Sequence, residues 1–187
     1  MKKSILALIM ALLVAASAVL MTSCGDTQQK KAVSNFITPA EGYDGSEVTI
    51  KFYHTMGANL SEVLDAYIVE FNKLYPNIHV VWEQVGSYDD VRNQVSTEIT
   101  VGGEPNIAYC YPDHVALYNL AGAVATLDDL IDSKIEVTRP DGTKEIIGLT
   151  DAQKADFIQG YYNEGTQFGD GLMYTMPFSK STVTYSG

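Results

Sequence analysis

The chain has few cross-linking residues and few bases. Its 187 residues hold two cysteines, Cys24 and Cys110, so a disulfide framework is excluded. Twelve Lys and Arg stand against 23 Asp and Glu, a formal charge of −11. That balance disfavours nucleic acid and anionic lipid as partners. No Gly-x-Ser-x-Gly elbow, Walker loop or His-Glu-x-x-His motif occurs, and no cofactor or metal is expected. The three histidines, His54, His79 and His114, lie far apart. Neither internal repeats nor low-complexity tracts are present. One long uncharged apolar run occurs, Ile5 to Leu20.

That run follows Lys2 and Lys3 and precedes Thr22-Ser23-Cys24, the layout of a secretory signal. Leu20-Met21-Thr22-Ser23-Cys24 resembles the lipobox of bacterial lipoproteins, with Met21 a tolerated departure. The resemblance implies acylation of Cys24, which would leave Cys110 without a partner. An uncleaved anchor is the alternative; both place the rest of the chain outside the cytoplasm. Residues 24–46 are polar, with Pro39, Gly42 and Gly45, and read as a tether. Cys110, in an apolar stretch, is expected to be a small buried residue.

Beyond the tether, periodicity alternates between two and 3.6. Val48 to Tyr53 has strand period. His54 to Ala58 is a turn, and Asn59 with Glu62 predicts a capping box. Val63, Leu64, Tyr67, Ile68, Phe71, Leu74 and Tyr75 predict a helix that Pro76 stops. A strand is predicted over Ile78 to Trp82, and a helix over Asp90 to Thr100 carrying Val91, Val95 and Ile99. A third strand follows from Ile107 to Cys110, then a helix from Asp113 to Leu120. Thr126 is read as capping a short helix through Ile131. Ile135 to Ile147 reads as a hairpin around Pro140-Asp141-Gly142. Thr150 is read as capping a helix with Ala155, Phe157, Ile158, Tyr161 and Tyr162 on its apolar face. Gly169-Asp170-Gly171 turns into Leu172 to Met176, and Thr182–Tyr185 is extended.

The order β-α-β-α-β-α predicts an α/β fold with a mostly parallel sheet. Ligands of such sheets sit beyond the carboxyl ends of the strands. His54–Gly57, Gln84–Asp89 and Tyr111–Asp113 should therefore meet on one edge. That edge would carry Tyr53, His54, Thr55, Ser87, Tyr88, Asp89, Tyr111 and Asp113. Twelve tyrosines are available, and a tyrosine offers a flat apolar face with a hydroxyl, suited to a polyhydroxylated ligand. Tyr67, Tyr75, Tyr161 and Tyr162 read as helix core. Tyr88 and Tyr111 fit ligand contact and loop packing equally. His79 reads as structural and His114 as solvated. Asp128, Asp129 and Asp132 read as a solvated helical face rather than a metal cluster.

Four stretches together resemble a known family. They are "VTIKFYHTMG", "FNKLYPNIHVVWEQVGSYDDVRNQV", "GGEPNIAYCYPDHVALYNLAGAVATLDDLID" and "YTMPFSKSTVTYSG". With the lipobox they resemble family 1 extracellular solute-binding proteins of ABC transporters, and within these the glycerol-3-phosphate-binding branch. Tyr53-His54-Thr55-Met56 is similar to that branch's Trp-His-Ser-Met. Gly86-Ser87-Tyr88-Asp89 is similar to its Gly-Asn-Tyr-Glu, and Pro177 to Thr182 to its Pro-Phe-Asn-Ser-Ser-Thr.

The resemblance implies a periplasmic-binding-protein-like, two-lobed type II solute-binding fold that closes on its ligand. It implies ligand contacts at Tyr88, Asp89 and Ser181, beside His54, Thr55, Tyr111 and Asp113 at the strand ends. Asp89 is one methylene shorter than the family's Glu, and Lys180 replaces a Ser. The organisation expected is a signal peptide over 1–23, the tether over 24–46 and a truncated N-terminal α/β lobe over 47–181. Residues 182–187 would begin the hinge strand to a second lobe. The expected role is a lipid-anchored receptor for a sugar or glycerol-3-phosphate-type ligand, serving ABC permease subunits. A secreted lipoprotein enzyme acting on glycans, with His54 and Asp113 or Asp89 as acid–base pair, is the alternative. A surface binding module without a transporter is a third reading.

Overall fold

A computed structural model describes residues 36–179. A parallel sheet of three strands organises them. β1 (Val48–His54) lies between β2 (Ile78–Gln84) and β3 (Ile107–Ala108). Register runs from Val48 opposite Ile78 to His54 opposite Gln84, with Phe52 opposite Ile107. β1 grows more buried toward its carboxyl end, where Phe52, Tyr53 and His54 are all enclosed. A central parallel strand is covered on both faces, so its strict alternation breaks down there.

α1 (Ala58–Leu74) links β1 to β2, and α2 (Tyr88–Ile99) carries the chain back across β1 to β3. Right-handed crossovers in opposite directions put these helices on opposite faces. On the α2 face, Tyr53, Val85, Val91, Val95 and Tyr118 form the core. Tyr53 donates its hydroxyl to Glu98 at 2.8 Å, and Lys51 and Gln94 bind the same carboxylate at 3.1 and 3.2 Å. On the α1 face, the Trp82 indole donates to Asp65 at 2.7 Å.

Several boundaries differ from the sequence reading. α1 starts at Ala58 with Gly57 as its cap, so Asn59 falls inside the first turn and makes no cap. The Gly57 carbonyl accepts the Leu60 and Ser61 amides instead. β3 closes after two residues, although the Tyr109 amide still donates to Tyr53. α3 spans Pro112–Leu120, and α4 (Asp128–Asp132) is capped by Leu127, with Thr126 buried.

β4 (Glu136–Thr138) and β5 (Lys144–Ile146) form the expected antiparallel hairpin. Gly142, at φ 85, makes its turn, a left-handed conformation that costs glycine little. Thr150 caps α5 (Asp151–Asp156) through a capping box with Gln153. The helix then breaks at Phe157 and Ile158, which are extended, before α6 (Gln159–Glu164). The apolar face expected over both halves is therefore split, and Ile158 is 67 % exposed.

Two of the four tyrosines read as core are surface residues: Tyr67 is 70 % and Tyr161 37 % exposed. Tyr75 is held from outside the sheet, donating to Glu145 of the hairpin at 2.6 Å. Asp128 and Asp129 accept the Met173 and Thr38 amides at 2.9 and 2.6 Å, and Asp132 pairs with Lys154. Asp129 and Asp132 stay exposed, as expected of a solvated face, while Asp128 and Asp129 also tie distant backbone amides to it. Thr38, on the segment read as tether, is buried by this contact. No helix among the described residues is long and apolar enough to cross a membrane.

Candidate functional site

The sheet brings its three loops to one edge, as its topology requires. The Val85 amide donates to His54 at 2.8 Å, and Tyr109 donates to Tyr53 at 2.9 Å. Helices α2 and α3 begin there side by side. Ser87 caps α2 in a reciprocal box with Asp90, whose carboxylate accepts the Ser87 amide at 2.7 Å. These bonds to Ser87 hold the Asp90 carboxyl below its ordinary range. Pro112 starts α3, where its missing amide costs nothing.

Across the gap, Tyr88 and Tyr111 stack with centroids 4.4 Å apart and planes 26° apart. Tyr111 is 53 % exposed. Asp89 and Asp113 flank the pair with largely exposed carboxylates. Arg92 pairs with Asp89 at 3.1 Å. Thr55 is half-buried at the same edge. Flat faces edged by hydrogen-bond acceptors can take a hydroxylated ligand.

His114 sits beneath this shelf. It is 3 % exposed, which corrects its reading as solvated. Lying in the first turn of α3, it is covered by the Tyr111 ring, edge-on at 5.5 Å. Its Nε2 lies 3.9 Å from Asp89 and 4.0 Å from Asp113, while Nδ1 is buried with no partner. His79, read as structural, is an exposed residue of β2 in register with Thr49, its Nε2 3.1 Å from Glu47.

His54 also has no exposed surface, so its side chain does not line the edge. Central-strand burial explains this: Phe52, Trp82 and Tyr109 close over the ring. Among the described residues no hydrogen bond or ion pair joins His54 to Asp113 or Asp89. The acid–base pair drawn from the sequence therefore has no geometry here.

A second aromatic pair completes the edge. Tyr109 packs against Phe178 with ring centroids 4.5 Å apart and planes tilted by 33°, and its hydroxyl approaches the Met56 sulfur at 3.7 Å. Burial, then the nearby Tyr88, pushes the Tyr109 phenol up to about 12. The sequence reading passed over both residues. The position of Tyr109, directly after β3, was the available signal. Cys110 is mostly enclosed, and burial raises its thiol to about 11, which fits a packing residue. Ser181, Lys180 and Cys24 lie outside the described residues.

An extracellular solute-binding protein family 1 from Alicyclobacillus acidocaldarius subsp. acidocaldarius DSM 446 is 29 % identical, over 44 % of this chain and 21 % of its own, with a TM-score of 0.40. A periplasmic oligogalacturonide binding protein from Yersinia enterocolitica is 24 % identical, over 44 % of this chain and 20 % of its own, with a TM-score of 0.39. A protein from work on xylan utilization by Caldanaerobius polysaccharolyticus is 19 % identical, over 70 % and 28 %, with a TM-score of 0.49. The match thus spans between 20 % and 28 % of these relatives' own lengths. No curated protein sequence matches. Residues 57–186, most of the chain, match the family model for the bacterial extracellular solute-binding protein, and the chain belongs to that family.

Proposed function

We propose that this chain is the ligand-capturing first lobe of a lipid-anchored extracytoplasmic receptor serving an ABC importer. Its ligand is a sugar or a glycerol-3-phosphate-type ester. Cys24 carries the lipid, and the permease subunits read the closed form. The family match supports a solute-binding role outside the cytoplasm. The observation that carries the site is the stacked Tyr88–Tyr111 pair at the carboxyl edge, flanked by Asp89 and Asp113. Thr55 adds a hydroxyl there; the resemblance to the glycerol-3-phosphate-binding branch assigns Ser181 a ligand contact.

The test is a thermal-shift screen of the intact protein with neutral mono- and oligosaccharides and with glycerol phosphates. A ligand at a hundred times its Kd stabilises by about 2.7 kcal/mol. A shift for one class, abolished by Tyr111→Ala, is expected. No shift with any member of either class would overturn the reading.

A further inference from the structure

The turn between β1 and α1 borders the ligand edge, and the buried His54 ring holds it from below. Nδ1 of His54 accepts the Met56 amide at 3.1 Å. A nitrogen that accepts carries no proton, so the proton of the neutral ring is on Nε2. Nε2 is buried without a hydrogen-bond partner. The ring lies 4.9 Å from Trp82, 5.7 Å from Phe52 and 6.3 Å from Tyr109.

The titratable and charged groups facing it are few. Asp65 comes from α1 and is turned toward the Trp82 indole. Tyr109 comes from the β3 side. Burial outweighs the pull of Asp65 and holds the imidazole below its ordinary value of 6.5.

We propose that His54 is a positioning residue for the ligand edge: as a neutral imidazole it holds the Thr55–Met56–Gly57 turn through the Met56 amide, and its protonation in acid lets that turn go. A protonated ring has donors on both nitrogens, and the Nδ1 proton would then face the Met56 amide proton. The same turn carries the Gly57 carbonyl, which accepts the Leu60 and Ser61 amides at the start of α1, each at 3.0 Å. It also places Met56 against the Tyr109 hydroxyl. Releasing it frays the start of α1 and loosens Thr55 and Tyr109 together. The effect on ligand capture rests on the receptor reading; the dependence of the turn on His54 does not.

The experiment therefore needs no ligand. Amide exchange at Met56 is followed in the intact protein from pH 7.5 to 4.5, relative to an unstructured amide at each pH. His54→Phe keeps an aromatic ring and removes the acceptor, and should lower Met56 protection on the order of tenfold at neutral pH. His54→Asn keeps an acceptor near the Nδ1 position and cannot be protonated. It should restore protection and make it independent of pH, whereas the wild type should lose protection in acid. Equal protection in the wild type and His54→Phe would overturn the proposal, as would failure of a cooperatively folded His54→Asn to restore it. If neither variant folds, nitrogen-15 spectra of the wild-type histidines decide. A neutral His54 with its proton on Nε2 at pH 7 supports the proposal; a proton on Nδ1 overturns it.

Discussion

Tyr53 shows how a single side chain ties the sheet to its cover. Its ring is 2 % exposed in the core, and its hydroxyl reaches the Glu98 carboxylate. Tyr53→Phe should lower stability by about 1.5–3 kcal/mol in urea denaturation, the worth of a hydrogen bond to a charged acceptor. Glu145 offers a pH test. The Arg139 guanidinium and the Tyr75 hydroxyl hold its carboxyl down at about 2, against 4.5 ordinarily. A depressed carboxyl stabilises fully above its unfolded value, and that contribution is lost as pH falls from 4.5 toward 2. Denaturant midpoints of the wild type should drop across that window, and those of Glu145→Gln should drop less. For Cys110, a thiol raised from 9.0 to about 11 should react with a thiol reagent at pH 8 on the order of a hundredfold more slowly than in the unfolded chain. Burial was the property hardest to read from residue types. His114 and His54 carry no sequence mark of enclosure; Trp82 of the neighbouring strand closes over His54, and Tyr111 at the cap of the same helix closes over His114.

Helices and strands were legible wherever a cap or period was strong. Thr150 with Gln153 was readable as a local start signal, because cap and partner lie within four residues. Ser87 with Asp90 is equally local, and Ser87→Ala should cost about 1 kcal/mol of stability in the same assay. α1 misled because Asn59 and Glu62 fit a capping box that the backbone does not use. The tight exit of β1 begins the helix at Ala58, with Gly57 before it. α5 and α6 misled because apolar spacing continues across Phe157 and Ile158 while the backbone turns extended there. β3 is short because only Ile107 and Ala108 register with β1 before the chain bends into α3.

Taken as a single body, the sheet and its helices leave much apolar surface in water. Leu60, Tyr67 and Val69 on α1 are 56 %, 70 % and 56 % exposed, as is Val81 of edge strand β2 at 56 %. These side chains lie on more than one side of α1 and on the sheet edge, and they stay in water as the chain folds. The 187-residue chain purified alone should bind a hydrophobic dye and melt over a broad range. A sharp transition without dye binding would contradict that expectation. The sheet order brings Tyr88, Tyr109 and Tyr111 to one edge, and Phe178, ninety residues beyond Tyr88, packs against Tyr109 there.

Alternating strand and helix periods specify an α/β chain with a parallel sheet, because hydrophobic period and short connections are local properties. Parallel topology then sends the loops to the strands' carboxyl ends, so the position of the candidate edge was legible in the sequence. Which side chains face that edge was not. Packing between distant segments turned His54 and His114 inward, paired Tyr88 with Tyr111, and drew Asp128 and Asp129 onto backbone amides far along the chain. Burial, stacking and amide capture depend on what arrives from elsewhere in three dimensions, and no local pattern encodes that.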